Sequence, residues 1–197
     1  ISKKEAEEKG LLKIIGKEID DKYIERLKEL VINPISDEDR KLNIVYTPLN
    51  GTGNLPVRRI LKELGFENVY VVPEQENPDS EFTSVGYPNP EDPKVYKLAK
   101  ELADKVNGDI ILATDPDADR LGVQVKDNNG EFVLFNGNMT GALIAEYVFS
   151  QKTKKGILSK NSALVKTIVS GNLTNQIVKA YNAELIEVLT GFKYIGE

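Results

Sequence analysis

Residues 114–120 read Thr114, Asp115, Pro116, Asp117, Ala118, Asp119 and Arg120, and they set three carboxylates at alternate positions directly behind an apolar run, Ile110 to Ala113. Like charges this close repel one another unless a cation lies between them. In an extended strand alternate Cα atoms stand ~6.6 Å apart, whereas neighbouring oxygens around a magnesium ion at ~2.1 Å are only ~3 Å apart. The segment must therefore curl into a loop for Asp115, Asp117 and Asp119 to share one ion, and Pro116 with its fixed φ and the small Ala118 permit that curl. Three carboxylates around a doubly charged ion leave a net negative site with open coordination positions, where the ion can hold a phosphate oxygen and act as a Lewis acid. Arg120 adds a fixed cation suited to phosphate.

Other chemistry fits the same residues less well. An EF-hand loop starting at Asp115 needs glycine at its sixth place and glutamate at its twelfth, where this chain has Arg120 and Lys126. In an aspartyl-nucleophile phosphatase a strand ends in Asp-x-Asp and the first aspartate attacks. Asp115 and Asp117 match its first half, but Asp119 stands where threonine or valine is expected. A non-catalytic α/β binding module with a merely solvated acidic turn is the third possibility.

Composition restricts the choice further. The 197 residues include no cysteine, no histidine and no tryptophan. Thiolate nucleophiles, imidazole bases, histidine or thiolate metal sites and disulfides are thereby excluded, and any metal must be bound through oxygen, which points to magnesium, calcium or manganese. The 31 acidic and 26 basic residues give a net charge of −5 and are spread along the chain, so no nucleic-acid surface is expected. Apolar runs are far too short for a membrane span, and the charged start has no signal-peptide core. Missing cysteine fits a cytoplasmic protein.

The elements that must position the loop follow from periodicity. Residues 1–19 read as a linker or the end of a preceding element, and 20–31 as an amphipathic helix on Ile24, Leu27 and Val31. A strand at 42–46 leads into the glycine-rich turn at 48–53. That turn lacks the Gly-Lys-Ser/Thr ending of a phosphate-binding Walker loop. Asn54 is the expected cap of a helix carrying Val57, Ile60, Leu61 and Leu64, which Gly65 stops. A strand at 69–72, a proline- and acid-rich loop at 73–93, a helix at 94–106 and a strand at 110–113 complete a β-α-β-α-β alternation. Segments 121–126 and 131–134 flank Asp127-Asn128-Asn129-Gly130, a hairpin signal. A helix at 139–149, a basic connection at 152–155, a strand at 164–169, a helix at 173–181 and a strand at 184–188 begin a second unit that looks unfinished. The expected fold is α/β: a three-layer mixed, mostly parallel sheet with flanking helices, followed by a partial second α/β unit of similar type.

The loop 115–120 resembles the metal-binding loop of the α-D-phosphohexomutases, the phosphoglucomutase and phosphomannomutase family. Four further segments stand in that family's order and spacing: Tyr46-Thr47-Pro48-Leu49-Asn50-Gly51-Thr52-Gly53, Tyr87-Pro88-Asn89-Pro90-Glu91, Asn136-Gly137-Asn138-Met139-Thr140-Gly141 and residues 189–196. The resemblance covers nearly everything from residue 16 onward and implies a domain division: 20–130 as the family's second domain, 131–197 as a truncated third domain, with domains I and IV missing. It implies Mg2+ held by Asp115, Asp117 and Asp119, phosphoryl charge stabilised by Arg120, and a sugar-facing segment at Thr190, Gly191 and Lys193. The implied reaction interconverts hexose 1-phosphate and hexose 6-phosphate, with glucose the expected hexose, through an enzyme phosphoserine and a hexose bisphosphate. The family's serine lies in a Thr-Ala-Ser-His-Asn-Pro type segment, which a chain without histidine cannot contain. This chain alone is therefore expected to be inactive. Many members carry histidine where Asn50 stands or near Tyr46.

Overall fold

The computed structural model describes residues 1–196. Residues 1–31 form one compact unit and the described residues from 32 onward a second. The first unit holds helix α1 (Lys3–Glu8), capped by the Ser2 hydroxyl accepting from the Glu5 N–H, and helix α2 (Gly16–Lys28). Residues expected to be a linker are thus partly helical, and α2 begins before residue 20 and stops before Val31. Lys17–Asp21 and Glu18–Lys22 ion pairs along its first turns support the earlier start.

In the second unit the elements run β1 (Ile44–Thr47), α3 (Asn54–Glu63), β2 (Val69–Val71), α4 (Pro73–Glu76), α5 (Lys97–Val106), β3 (Ile110–Thr114), β4 (Leu121–Lys126), β5 (Phe132–Phe135), α6 (Gly137–Lys154), β6 (Ala163–Thr167), α7 (Leu173–Ala180), β7 (Glu184–Val188) and α8 (Phe192–Gly196). The first five strands make one sheet in the order β2-β1-β3-β4-β5. β1 pairs in parallel with β2 and β3, while β4 pairs antiparallel with both β3 and β5. Four of the five strands therefore share one direction, as the mixed, mostly parallel sheet expected from the sequence requires.

Every residue of β1 is buried, which suits a strand with neighbours on both edges and helices on both faces. The crossover from β1 to β2 runs one way along the sheet and that from β2 to β3 the other, so right-handed connections set α3 and α5 on opposite faces. Ala99 and Ala103, one turn apart on α5 and fully buried, let that helix approach the sheet closely; with Val45, Leu49, Val72, Val95, Tyr96, Ile111 and Ala113 they form the core. The hairpin signal at 127–130 is realised as the β4–β5 turn, with Lys126 opposite Phe132. The expected division after residue 130 falls in this turn, and the first sheet continues to Phe135.

Local departures have local causes. Asn54 does not cap α3; it is the first helical residue, and its side-chain amide donates instead to the Glu76 carbonyl at 2.8 Å. The long loop at 73–93 begins with a helical turn, α4, for which Pro73 supplies the preset φ. α6 is longer than expected because Asn136 caps it at one end, and Lys152 and Lys154, read as a connection, form its last turn, where cations suit the helix dipole. β6 and β7 pair in parallel as a separate two-stranded sheet.

Candidate functional site

β1 and β3 are adjacent, and their carboxyl ends carry the 48–53 and 115–120 loops. The chain leaving β1 crosses to β2 on one side and the chain leaving β3 turns to β4 on the other, so the two connections diverge here, in the kind of crevice where open α/β sheets place ligands. Asp115 is 1% exposed, while Asp117 and Asp119 face solvent. One oxygen from each of the three lies within 4.8 Å of the others. Oxygens on an octahedral magnesium ion at ~2.1 Å are between ~3 and ~4.2 Å apart, so modest side-chain rotations close the triad on such an ion. The donor set, oxygen only and threefold negative, fits a hard divalent cation.

The curl that brings the carboxylates together is visible in the backbone. Ala118 adopts a left-handed φ of 60°, and its N–H donates to the Asp115 carbonyl at 3.0 Å. The chain thus turns back between Asp117 and Asp119 instead of continuing β3.

Arg120 balances the buried carboxylate. Its backbone N–H donates to Asp115 Oδ1 at 3.0 Å and its Nε to Oδ2 at 2.7 Å. Burial pushes the Asp115 carboxyl up, but these two donors and the guanidinium charge outweigh it and hold the group below the ordinary aspartate range. Asp119 is pushed the other way, by its hydrogen bond to Asp115 and by the negative charges of Asp115 and Asp117. The bond to Asp115 also raises the guanidinium of Arg120. Arg120 Nη1 reaches on to Asn89 Oδ1 at 3.2 Å, and Asn89 is fixed in turn because the buried Tyr96 hydroxyl donates to the neighbouring Pro90 carbonyl at 2.7 Å. The 87–91 segment, whose contacts the sequence left open, is therefore the support behind Arg120.

Thr190, Gly191 and Lys193 lie at the carboxyl end of β7, on the second sheet. The Gly191 carbonyl accepts from the Tyr194 N–H at 3.0 Å, and Lys193 Nζ sits 4.7 Å from the centre of the Tyr194 ring. Among the described residues none of the three hydrogen-bonds to the 114–120 loop.

On that same sheet edge the structure singles out Lys166. It is 5% exposed; Nζ donates to the Ser170 and Gly171 carbonyls and to Asn172 Oδ1 at 3.3–3.4 Å and pairs with Glu187 at 3.2 Å. Beside it is a cleft of about 190 Å³ bordered by Gly137, Asn138, Ser170, Gly171 and Thr174, where Asn138 Oδ1 accepts from the Gly171 N–H at 2.8 Å. In the sequence it is only a lysine that follows the apolar run 163–165, with nothing to set it apart from other strand lysines.

A carboxylate loop with an arginine partner, at the carboxyl end of a central strand of an α/β sheet, is a set of oxygen donors that could hold a hard divalent cation. Two family profiles match the chain: "Phosphoglucomutase/phosphomannomutase, alpha/beta/alpha domain II" over residues 21–130 and "alpha/beta/alpha domain III" of the same family over residues 136–197. The chain belongs to the phosphoglucomutase/phosphomannomutase family, as its motifs suggested. It is 38% identical to a phosphoglucomutase from Staphylococcus epidermidis over 96% of its own length and 34% of that protein's. The chain thus spans about a third of the length of the curated relatives it matches. Among solved structures, a phosphoglucomutase/phosphomannomutase family protein from Burkholderia thailandensis shares the fold with a TM-score of 0.67, at 22% identity over 90% of this chain and 34% of that one. An Aspergillus fumigatus N-acetylphosphoglucosamine mutase, solved in complex with GlcNAc-6P and magnesium, shares it with a TM-score of 0.53, at 21% identity over 78% of this chain and 32% of that one. Among the described residues no helix is long and apolar enough to cross a membrane.

Proposed function

We propose that this chain supplies the metal-binding part of a phosphohexomutase that interconverts hexose 1-phosphate and hexose 6-phosphate in the cytoplasm, with glucose as the hexose. The observation that carries the proposal is the curled triad of Asp115, Asp117 and Asp119, with one oxygen from each within 4.8 Å of the others, in a chain of this family. In it residues 20–130 act as the metal-binding domain and 131–197 as part of the next domain. Both work with family domains that this chain does not include, among them the one bearing the phosphoserine that exchanges its phosphoryl group with the sugar through a hexose bisphosphate. When bound, Mg2+ supplies charge neutralisation at the phosphoryl group. The three aspartates hold it, and Arg120, anchored on Asp115 and Asn89, presents the remaining face of its guanidinium to phosphoryl oxygens. Thr190, Gly191 and Lys193 face the sugar.

The test is a calorimetric Mg2+ titration of the chain and of Asp117→Ala, together with an attempt to trap a beryllofluoride adduct. Weak binding that the substitution abolishes, no adduct on Asp115 and no conversion of glucose 1-phosphate by the chain alone are the expected results. Equal binding by the variant would remove the metal assignment, and an adduct at Asp115 would point to an aspartyl phosphatase.

A further inference from the structure

The Asp117 and Asp119 side chains lie in solvent, yet a metal site needs their carboxylates held near one another. The structure shows what holds the loop that bears them, and it lies elsewhere in the sequence. Thr52, in the turn after β1, donates to the Pro116 carbonyl twice, from its backbone N–H at 2.8 Å and from Oγ1 at 3.1 Å. Pro116 is the residue between Asp115 and Asp117, so this is a two-point anchor within the loop, between its first two carboxylates.

The neighbouring glycines let the two loops come this close. A Cβ on Gly51 would lie 2.4 Å from Pro116 Cα and 2.7 Å from its carbonyl oxygen, both backbone atoms that cannot swing aside. A Cβ on Gly53 would meet Thr114 Oγ1 at 2.6 Å and the Tyr46 hydroxyl at 2.7 Å, two groups that bond to each other at 2.8 Å beneath the loop. The glycine turn is itself fixed from behind: the Asn50 N–H donates to the Gln75 carbonyl at 2.8 Å and Gln75 Oε1 accepts from Thr47 Oγ1 at 2.6 Å, with Gln75 fully buried.

We propose that Gly51, Thr52 and Gly53 form a positioning clamp for the aspartate loop: the bare glycine backbone admits Pro116, and Thr52 grips its carbonyl, which holds the Asp115–Asp119 loop in its metal-binding shape before the ion arrives. Thr52 and the two glycines are positioning residues; they touch the loop and not the ion. The proposal rests on the assignment of the three aspartates as metal ligands. A preformed loop spares the ion the ordering of two exposed side chains, which is how positioning raises affinity without a new ligand.

Thr52→Val removes the hydroxyl donor with little change in shape, Thr52→Ser keeps it, and Gly51→Ala drives a methyl into Pro116. Two readouts separate the clamp from the metal assignment. The first is amide hydrogen exchange at Ala118 and Arg120, whose N–H groups bond to Asp115 and report the loop's shape with no metal present. The second is Mn2+ affinity, read from the electron paramagnetic resonance signal of the free ion. Expected are several-fold faster exchange and several-fold weaker Mn2+ binding in Thr52→Val, larger effects of both kinds in Gly51→Ala, and wild-type behaviour in Thr52→Ser, with thermal melting of both Thr52 variants unchanged. Unaltered exchange and Mn2+ affinity in Thr52→Val would overturn the clamp. If Asp117→Ala bound Mn2+ as the wild type does, the metal assignment would fall instead, and the exchange data would still decide whether Thr52 holds the loop.

Discussion

Replacing Arg120 with methionine tests the electrostatics of the site without altering any of the three carboxylates. In the folded chain the Asp115 side chain is 2% exposed and its guanidinium partner 46% exposed. Breaking a fully buried pair costs about 3–5 kcal/mol, and losing an exposed one about 0–1 kcal/mol. Here one partner is buried, the other is half in water, and the Arg120 backbone N–H still bonds to Oδ1 after the substitution. The loss is therefore about 1–2 kcal/mol. For a chain of this length it lowers the melting temperature by about 2–8 °C.

The pH dependence carries the sign. In the wild type the carboxyl of Asp115 is held below its ordinary value, so its stabilisation is present above the unfolded value of about 3.9 and is lost as pH falls through the lower folded one. In Arg120→Met burial acts with less opposition and the folded value rises, so the variant is penalised at pH 7 and relieved as the group takes a proton. The gap in melting temperature between wild type and variant should therefore narrow from pH 7 towards pH 4. Asp115→Asn in the Arg120→Met background should recover part of the loss, since a neutral amide needs no cation. Differential scanning calorimetry in metal-free buffer measures all of this. A gap that is absent, or as wide at pH 4 as at pH 7, would refute the balance of burial against pairing argued for Asp115.

Asp117→Ala should leave urea unfolding within about 0.5 kcal/mol of wild type, because an exposed residue away from the core contributes little. Mg2+ affinity should fall on acidification from a pH above the ordinary aspartate value, because Asp119 is raised by its acidic neighbours and a proton there competes with the ion; calorimetric titrations between pH 7 and 4.5 read this. Lys166→Met should shift the urea midpoint by the equivalent of about 1–3 kcal/mol, because the part-buried carbonyls of Ser170 and Gly171 lose a charged donor. Glu187→Gln, at the exposed end of the same pair, should change stability by about 0.5 kcal/mol or less.

The parts of this molecule that could be read in advance are those in which neighbouring residues decide the outcome. The buried strand ahead of Asp115, the hairpin at 127–130 and the β-α alternation arise from apolar runs and turn residues a few positions apart, and all are found. So is the requirement that 115–119 curl, which follows from charge and bond length alone. What could not be read depends on partners distant in sequence. Asn54 has the chemistry of a cap, but the Glu76 carbonyl claims its amide. Thr52 and Pro116 are 64 positions apart and meet only because β1 and β3 are neighbours in the sheet. Lys166 looks like any strand lysine until the turn at 170–172 folds over it.

The central proposal is that Asp115, Asp117 and Asp119 together hold a divalent cation. The most direct measurement is anomalous diffraction from crystals of the chain soaked in Mn2+. The proposal predicts one strong peak within bonding distance of an oxygen from each of the three aspartates. A fully soaked crystal with no peak there, and with the Asp115 carboxylate still bonded to Arg120, would contradict it.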